Sequence, residues 1–208
     1  GTNTNNPEYN KLIFEELERH GHELANMPIR PDAWGIDAGG YNFDAVIRFC
    51  MESVRICGIQ AFAMTGRDSK HYRQYGRTMQ PGQRWEHCHG CLDRKDGRLI
   101  KWRVWDSDWW KEVAQKAWLG DIGAPGAASL HEGQHQEFAA QFCGEKLMGK
   151  GDVGGTMLYN WHSAPGKHDF LDASAQGYAL VASQGIGTGG QIIKKAFRPR
   201  ERVSVISM

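Results

Sequence analysis

The segment from Ala33 to Met64 constrains this chain more than any other. Ala33-Trp34-Gly35-Ile36-Asp37 reads as a short buried strand that runs into the flexible turn Ala38-Gly39-Gly40. From Asn42 onward Phe43, Val46, Ile47, Phe49, Cys50 and Val54 recur at helical spacing, and the pattern stops at Gly58 before a second strand, Ile59 to Met64. A strand, helix, strand unit of this length is most simply a parallel, right-handed crossover, which puts both strand ends and the loops after them on one edge of a sheet. Open α/β sheets bind their ligands at that edge, and here an aspartate, Asp37, closes the first strand.

The rest of the composition fits a globular α/β chain. With 208 residues there is room for one domain, or at most one and a half, at ~150 residues each. Hydrophobic residues make up 40% and include eight tryptophans, enough for a core, while 24% charged residues and a net charge of +1 lie outside the disordered range. No apolar run approaches the roughly 20 residues that span a bilayer, and Gly1 to Asn6 lacks the layout of a signal peptide, so neither membrane insertion nor classical secretion is expected. Five cysteines, an odd number, suit reduced thiols in a cytoplasm better than a disulfide framework. A near-zero net charge means that any nucleic-acid contact must come from a local basic surface.

Along the chain, Leu12, Ile13, Leu17 and Leu24 predict an amphipathic helix over 8–25, opened by Pro7 and ended by Pro28 and Pro31. Residues 66–98 lose apolar periodicity and read as a long exposed loop. In it Arg67, Lys70, Arg73 and Arg77 alternate with Tyr72 and Tyr75, a texture that can track a phosphate backbone and stack on bases. A solvated surface loop has the same texture. Next come a half-buried strand over 99–105, a helix over 108–119, a glycine and alanine loop over 120–129 and a helix over 132–147. After a Gly-rich gap, a strand over 156–161 precedes a final helix over 168–183. The expected layout is one domain over 1–184 and a glycine joint with a basic tail over 185–208.

Three acids fall at element ends: Asp37 after its strand, and Asp169 with Asp172 in the opening turn of the last helix, where a spacing of three puts them on one face. Carboxylates gathered together repel unless a cation joins them, and hard oxygen ligands select Mg²⁺ or Mn²⁺. Two such ions can activate a water and stabilise the leaving oxygen of a phosphodiester. Helix capping explains an acidic first turn as well, and a strand-end aspartate can simply organise its turn. Asp106, after the strand over 99–105, offers a further ligand or a cap for the next helix.

Other motifs carry less. Gly144 to Gly151 spells a phosphate loop, but Gly151 stands where a Ser or Thr must hold Mg²⁺, and the run closes an expected helix instead of opening one, so no ATP site is assigned. Cys88 and Cys91, with His87, His89 or His71, have the close pairing of half a zinc site without a second Cys pair. No Gly-x-Ser-x-Gly elbow is present.

Taken in order, Trp34-Gly35-Ile36-Asp37-Ala38-Gly39-Gly40, Ala61 to Gly66, Val104-Trp105-Asp106 and His168-Asp169-Phe170-Leu171-Asp172-Ala173 resemble the nuclease domain of lambda-like phage terminase large subunits over about residues 33–183. The resemblance implies an α/β fold of RNase H-like type, with a mixed sheet flanked by helices, and a two-metal endonuclease that cuts concatemeric viral DNA during packaging. It carries Asp37 over as a strand acid, Asp169 as the helix acid and Asp172 as a second acid there, with Mg²⁺ or Mn²⁺ as the cofactor. Its partners would be double-stranded DNA and a missing terminase segment, the small terminase subunit or the portal, in the cytoplasm of the host cell. In the family an earlier strand carries a first metal-binding aspartate, whereas only the helix over 8–25 precedes Asp37. The fold is therefore expected to be incomplete at its N-terminus, and a catalytically inactive module that binds DNA or a packaging partner is the alternative.

Overall fold

The structure is a computed structural model that describes residues 6–40, 43–72, 83–91, 99–124, 126–130, 132–166 and 169–186. The strand, helix, strand unit is present as β1 (Ala33–Asp37), α2 (Phe43–Cys57) and β2 (Gln60–Arg67), preceded by α1 (Pro7–Ala25). Asn6 caps α1 by accepting a hydrogen bond from the Glu8 N–H, next to Pro7 in the first turn, where a missing N–H costs nothing. β3 (Trp85–Cys91) and β4 (Leu99–Asp106) follow, then α3 (Ser107–Leu119), α4 (Gln136–Phe142), the pair β5 (Glu145–Val153) and β6 (Thr156–Ser163), and α5 (Asp169–Ser183).

β1 to β4 form one mixed sheet in the order β1-β2-β4-β3. β1 runs parallel to β2 with Asp37 opposite Met64, β2 runs parallel to β4, and β3 is antiparallel to β4. The two-residue side-chain period of each strand divides the core between the two faces. Trp34, Ile36, Ala61, Ala63, Ile100 and Trp102 pack with α1 and α2; Ala33, Phe62, Met64 and Trp105 pack with α3 and α5. This is the RNase H-like mixed sheet flanked by helices that the resemblance implied.

Two expectations are corrected. The stretch 66–98 is not one loop, because residues 85–91 form β3. Its side chains are mostly polar and neither face is fully covered, so no burial alternation announces it; seven consecutive pairings with β4 hold it instead.

The helix expected over 132–147 is confined to α4, and residues 145–153 pair with β6 as a hairpin. Gly154 (φ 62°) and Gly155 (φ 81°) supply the two left-handed residues of its tight turn, and Asp152 accepts the Gly155 N–H. The phosphate-loop look-alike is therefore mostly an antiparallel strand. Arg73 and Arg77 lie outside the described residues, as does nearly all of the expected tail over 185–208.

Candidate active site

Residues 33, 35 and 37 share the face of β1 that looks toward α5. Gly35 makes the close approach possible: a Cβ there would stand 2.9 Å from Met64 Sδ and 3.3 Å from Leu180 Cδ2. Residues 169, 172, 173 and 176 recur at helical spacing along one side of α5, so Asp37 at the strand end and the first turn of the helix face one another. Together they line a cleft of about 460 Å³ whose other walls include Gly66, Trp105 and Ser107. The cleft opens at the C-terminal ends of the parallel strands β1 and β2.

Each acid is held differently. Asp37 is exposed, and its Oδ1 accepts the Gly39 N–H at 2.9 Å, which fixes the turn and leaves the other oxygen available. Asp169 and Asp172 occupy the first turn of α5, where the helix dipole favours negative charge. Asp172 is also paired: its Oδ1 lies 2.9 Å from Lys111 Nζ, and the same ammonium donates to Glu145 Oε2 at 2.6 Å. Burial works against the Lys111 charge, but the hydrogen bond to Glu145 and the charge of Asp172 outweigh it and raise the pKa.

Asp106 is placed elsewhere. It is fully buried, caps α3 by accepting the Trp109 N–H, and accepts the Ser69 hydroxyl at 2.6 Å, with Arg84 3.6 Å from its second oxygen. Asp108 in turn accepts the Ser69 N–H at 2.8 Å. Burial raises the pKa of both carboxyls; the hydrogen bonds from Ser69 oppose it. The structure thus brings Asp37, Asp169 and Asp172 to one cleft and sets Asp106 against Ser69, outside the cleft lining.

The Ser69 clamp also anchors the segment that follows β2, with exposed Arg67 and Lys70 on either side of it. Arg67 follows Gly66 of the cleft wall directly, so this basic segment starts at the rim.

As donors, three carboxylates in one cleft suit a hard divalent cation. Among the described residues, however, no group of three His, Cys, Asp or Glu side chains is close enough to hold a metal. Lys111 and Gln176 were not singled out from the sequence. Gln176 is legible in retrospect, four residues from Asp172 on the same helix face, whereas nothing local in the sequence links Lys111 of α3 to α5.

Comparison with known proteins bears on this site directly. The family model described as terminase large subunit gpA, endonuclease domain, matches residues 3–190. No curated protein and no solved structure gives a significant match. With the match spanning nearly the whole sequence, the chain belongs to the endonuclease-domain family of the terminase large subunit gpA.

Proposed function

We propose that this nuclease module of a packaging terminase hydrolyses phosphodiesters of double-stranded DNA with Mg²⁺ or Mn²⁺, using Asp37 and Asp169 as the principal carboxylates and Asp172 as a third. The observation that carries the proposal is the convergence of acids from β1 and α5 on one cleft, although they are more than a hundred residues apart in sequence. Bound there, the cation would supply the positive charge that makes water a competent nucleophile and offsets charge on the leaving oxygen. Asp37, fixed by Gly39, and Asp169, on the rigid first turn of α5, would hold that cation. The Gln176 amide, which lines the same cleft, would donate to a phosphate oxygen. Arg67 and Lys70 would engage the DNA backbone, with Arg73 and Arg77 as further contacts in the same basic segment; contacts of this kind position DNA without reading its sequence. The setting is the host cytoplasm, with the small terminase subunit or the portal as protein partners.

A second reading has an observation in its favour. No three ligands gather among the described residues and Asp172 is paired with Lys111, which favours a module that binds DNA or a packaging partner without cleavage. Incubation with supercoiled plasmid and Mn²⁺ separates the two. Nicking that falls at least about a hundredfold in Asp37→Asn supports the nuclease, on the scale of removing a group that acts in the transition state. DNA retention that needs no metal and is unchanged by Asp37→Asn, without nicking, supports the binder.

A further inference from the structure

At the other end of the sheet, β2 and β4 part company. Their pairing is confined to Met64–Arg67 against Arg103–Asp106, while Gln60–Ala63 pairs with β1 and Leu99–Trp102 with β3. The split opens a cavity of about 460 Å³ at the N-terminal ends of both strands, remote from the acidic cleft and independent of its chemistry. Its lining is mixed: Ile47, Met51, Phe62 and Trp102 give it an apolar side, Gln60, His87, Lys101 and Arg103 a polar one, and among the described residues no Asp or Glu lines it.

Arg103 lines this cavity at 7% exposure, with its guanidinium carbon 3.7 Å from the centre of the Phe62 ring. Its Nε and Nη1 are buried and have no hydrogen-bond partner. Burial draws its pKa down to about 10, so it is still a cation at neutral pH. The neighbouring Cys50 thiol is pushed up to about 12 by the same cause and supplies no anion. A ring face compensates a guanidinium only in part, and buried N–H groups call for acceptors. We propose that this split is a binding site for a carboxylate carried on an apolar body, the acid meeting Arg103 and the body filling the wall of Ile47, Met51, Phe62 and Trp102. A carboxylate matches the planar guanidinium, and the apolar side of Ile47, Met51, Phe62 and Trp102 favours an acid carried on an apolar body over a free, fully hydrated phosphate. The acid can come from a free small molecule or from the end of a polypeptide, and the chemistry is the same.

The test follows the Arg103 Nε–H resonance by ¹⁵N-resolved NMR of the full chain. Titrants are phenylacetate, its neutral amide, inorganic phosphate at matched ionic strength, and acetyl-Leu-Phe with a free carboxylate. Phenylacetate or acetyl-Leu-Phe should shift the resonance saturably, and phenylacetamide and phosphate should not. Arg103→Lys, which lacks that resonance and is followed by the thermal-unfolding shift with each titrant, should weaken binding about tenfold, since an ammonium replaces the fork, and Lys101→Ala, at the exposed rim, about twofold. Tighter binding of acetyl-Leu-Phe supports the site and assigns its source to a chain end; tighter binding of phenylacetate supports it and assigns a small acid. Equal shifts from the amide or phosphate, no saturable shift from either acid, or unchanged affinity in Arg103→Lys overturns the proposal. The Lys101→Ala variant and thermal unfolding with each titrant keep the test decisive if Arg103→Lys does not fold.

Discussion

The ammonium of Lys111 lies 2.9 Å from Asp172 Oδ1, so the second acid of α5, which helps to line the cleft, is held by a counter-charge from α3 that is not itself part of that lining. The same ammonium neutralises Glu145, which is only 8% exposed, and thereby ties α3 to the start of the β5–β6 hairpin. Lys111→Met strands the Glu145 carboxylate with Ser163 Oγ as its remaining side-chain partner and should cost about 3 kcal/mol in denaturant unfolding. Asp172→Asn, at a half-exposed side chain, should cost under about 1 kcal/mol. In plasmid nicking, Asp172→Asn should reduce the rate far less than Asp37→Asn. Equal losses would make Asp172 a full member of the catalytic set.

The buried Asp106 predicts a pH signature. Its pKa, like that of Asp108, is raised by burial, so between the unfolded and folded values the native state keeps a proton that the unfolded chain has released. The stability this contributes is complete below about pH 4, the unfolded aspartate value, and is lost as pH rises through the folded pKa. Asp106→Asn keeps an acceptor for Ser69 Oγ and the Trp109 N–H while removing the titration, so its stability should fall less steeply with rising pH than that of the parent. Asp106→Ala should lose about 1–2 kcal/mol through the missing cap and the orphaned hydroxyl. An unchanged slope in Asp106→Asn would remove this residue as the source.

How far the fold was legible follows from where its signals are local. β1, α2, β2, β4 and α5 bury regular stripes of Ile, Val, Ala and Phe, and each shows in the sequence at its own period. β3 has no fully covered face, and its pairing partner, β4, lies beyond a connection; its pattern is polar because its stability is borrowed. β5 is almost wholly exposed beyond Glu145 and carries Gly149 and Gly151, so only the tight Gly154-Gly155 turn marks it, and a helical reading of 132–147 absorbed its first residues. In the site, strand-end and helix-start positions made Asp37, Asp169 and Asp172 readable. The direction of Asp106 was not, because a residue at a strand-to-helix junction can point to either side, and Ser69, which decides it, belongs to another segment.

Ser69 has a second consequence. By accepting its N–H and hydroxyl, Asp108 and Asp106 hold the start of the basic segment against α3, with Arg67 and Lys70 left exposed. Arg67→Ala and Lys70→Ala should each weaken DNA association and reduce the slope of log K against log salt by about one. Filter binding across a salt series measures both, and slopes identical to the parent would take this segment out of the interface. Because neither residue lines the cleft, the nicking rate at saturating DNA should stay near that of the parent.

Gly35 decides whether the strand and helix acids can meet at all. Met64, whose Sδ would lie 2.9 Å from an added Cβ, is fully buried, and Leu180 of α5 lies 3.3 Å away on the other side, so in Gly35→Ala these two side chains have to give way, and the expected outcome is a wider spacing of β1 and α5. The overpacking should cost about 1–3 kcal/mol. Since Asp37 lies two residues further along the same strand face, the shift should also separate it from Asp169, and nicking by the folded fraction should fall at least about tenfold, as small displacements of catalytic groups do. Gly177→Ala supplies the contrast. It sits on the exposed side of the same helix with nothing within 4 Å of an added Cβ, so there alanine should stabilise by about 0.5–1 kcal/mol and leave nicking unchanged. Thermal unfolding and plasmid nicking of the two variants side by side distinguish a site that depends on the β1–α5 approach from one that does not. A fully active Gly35→Ala protein would show that the cleft acids do not need that approach.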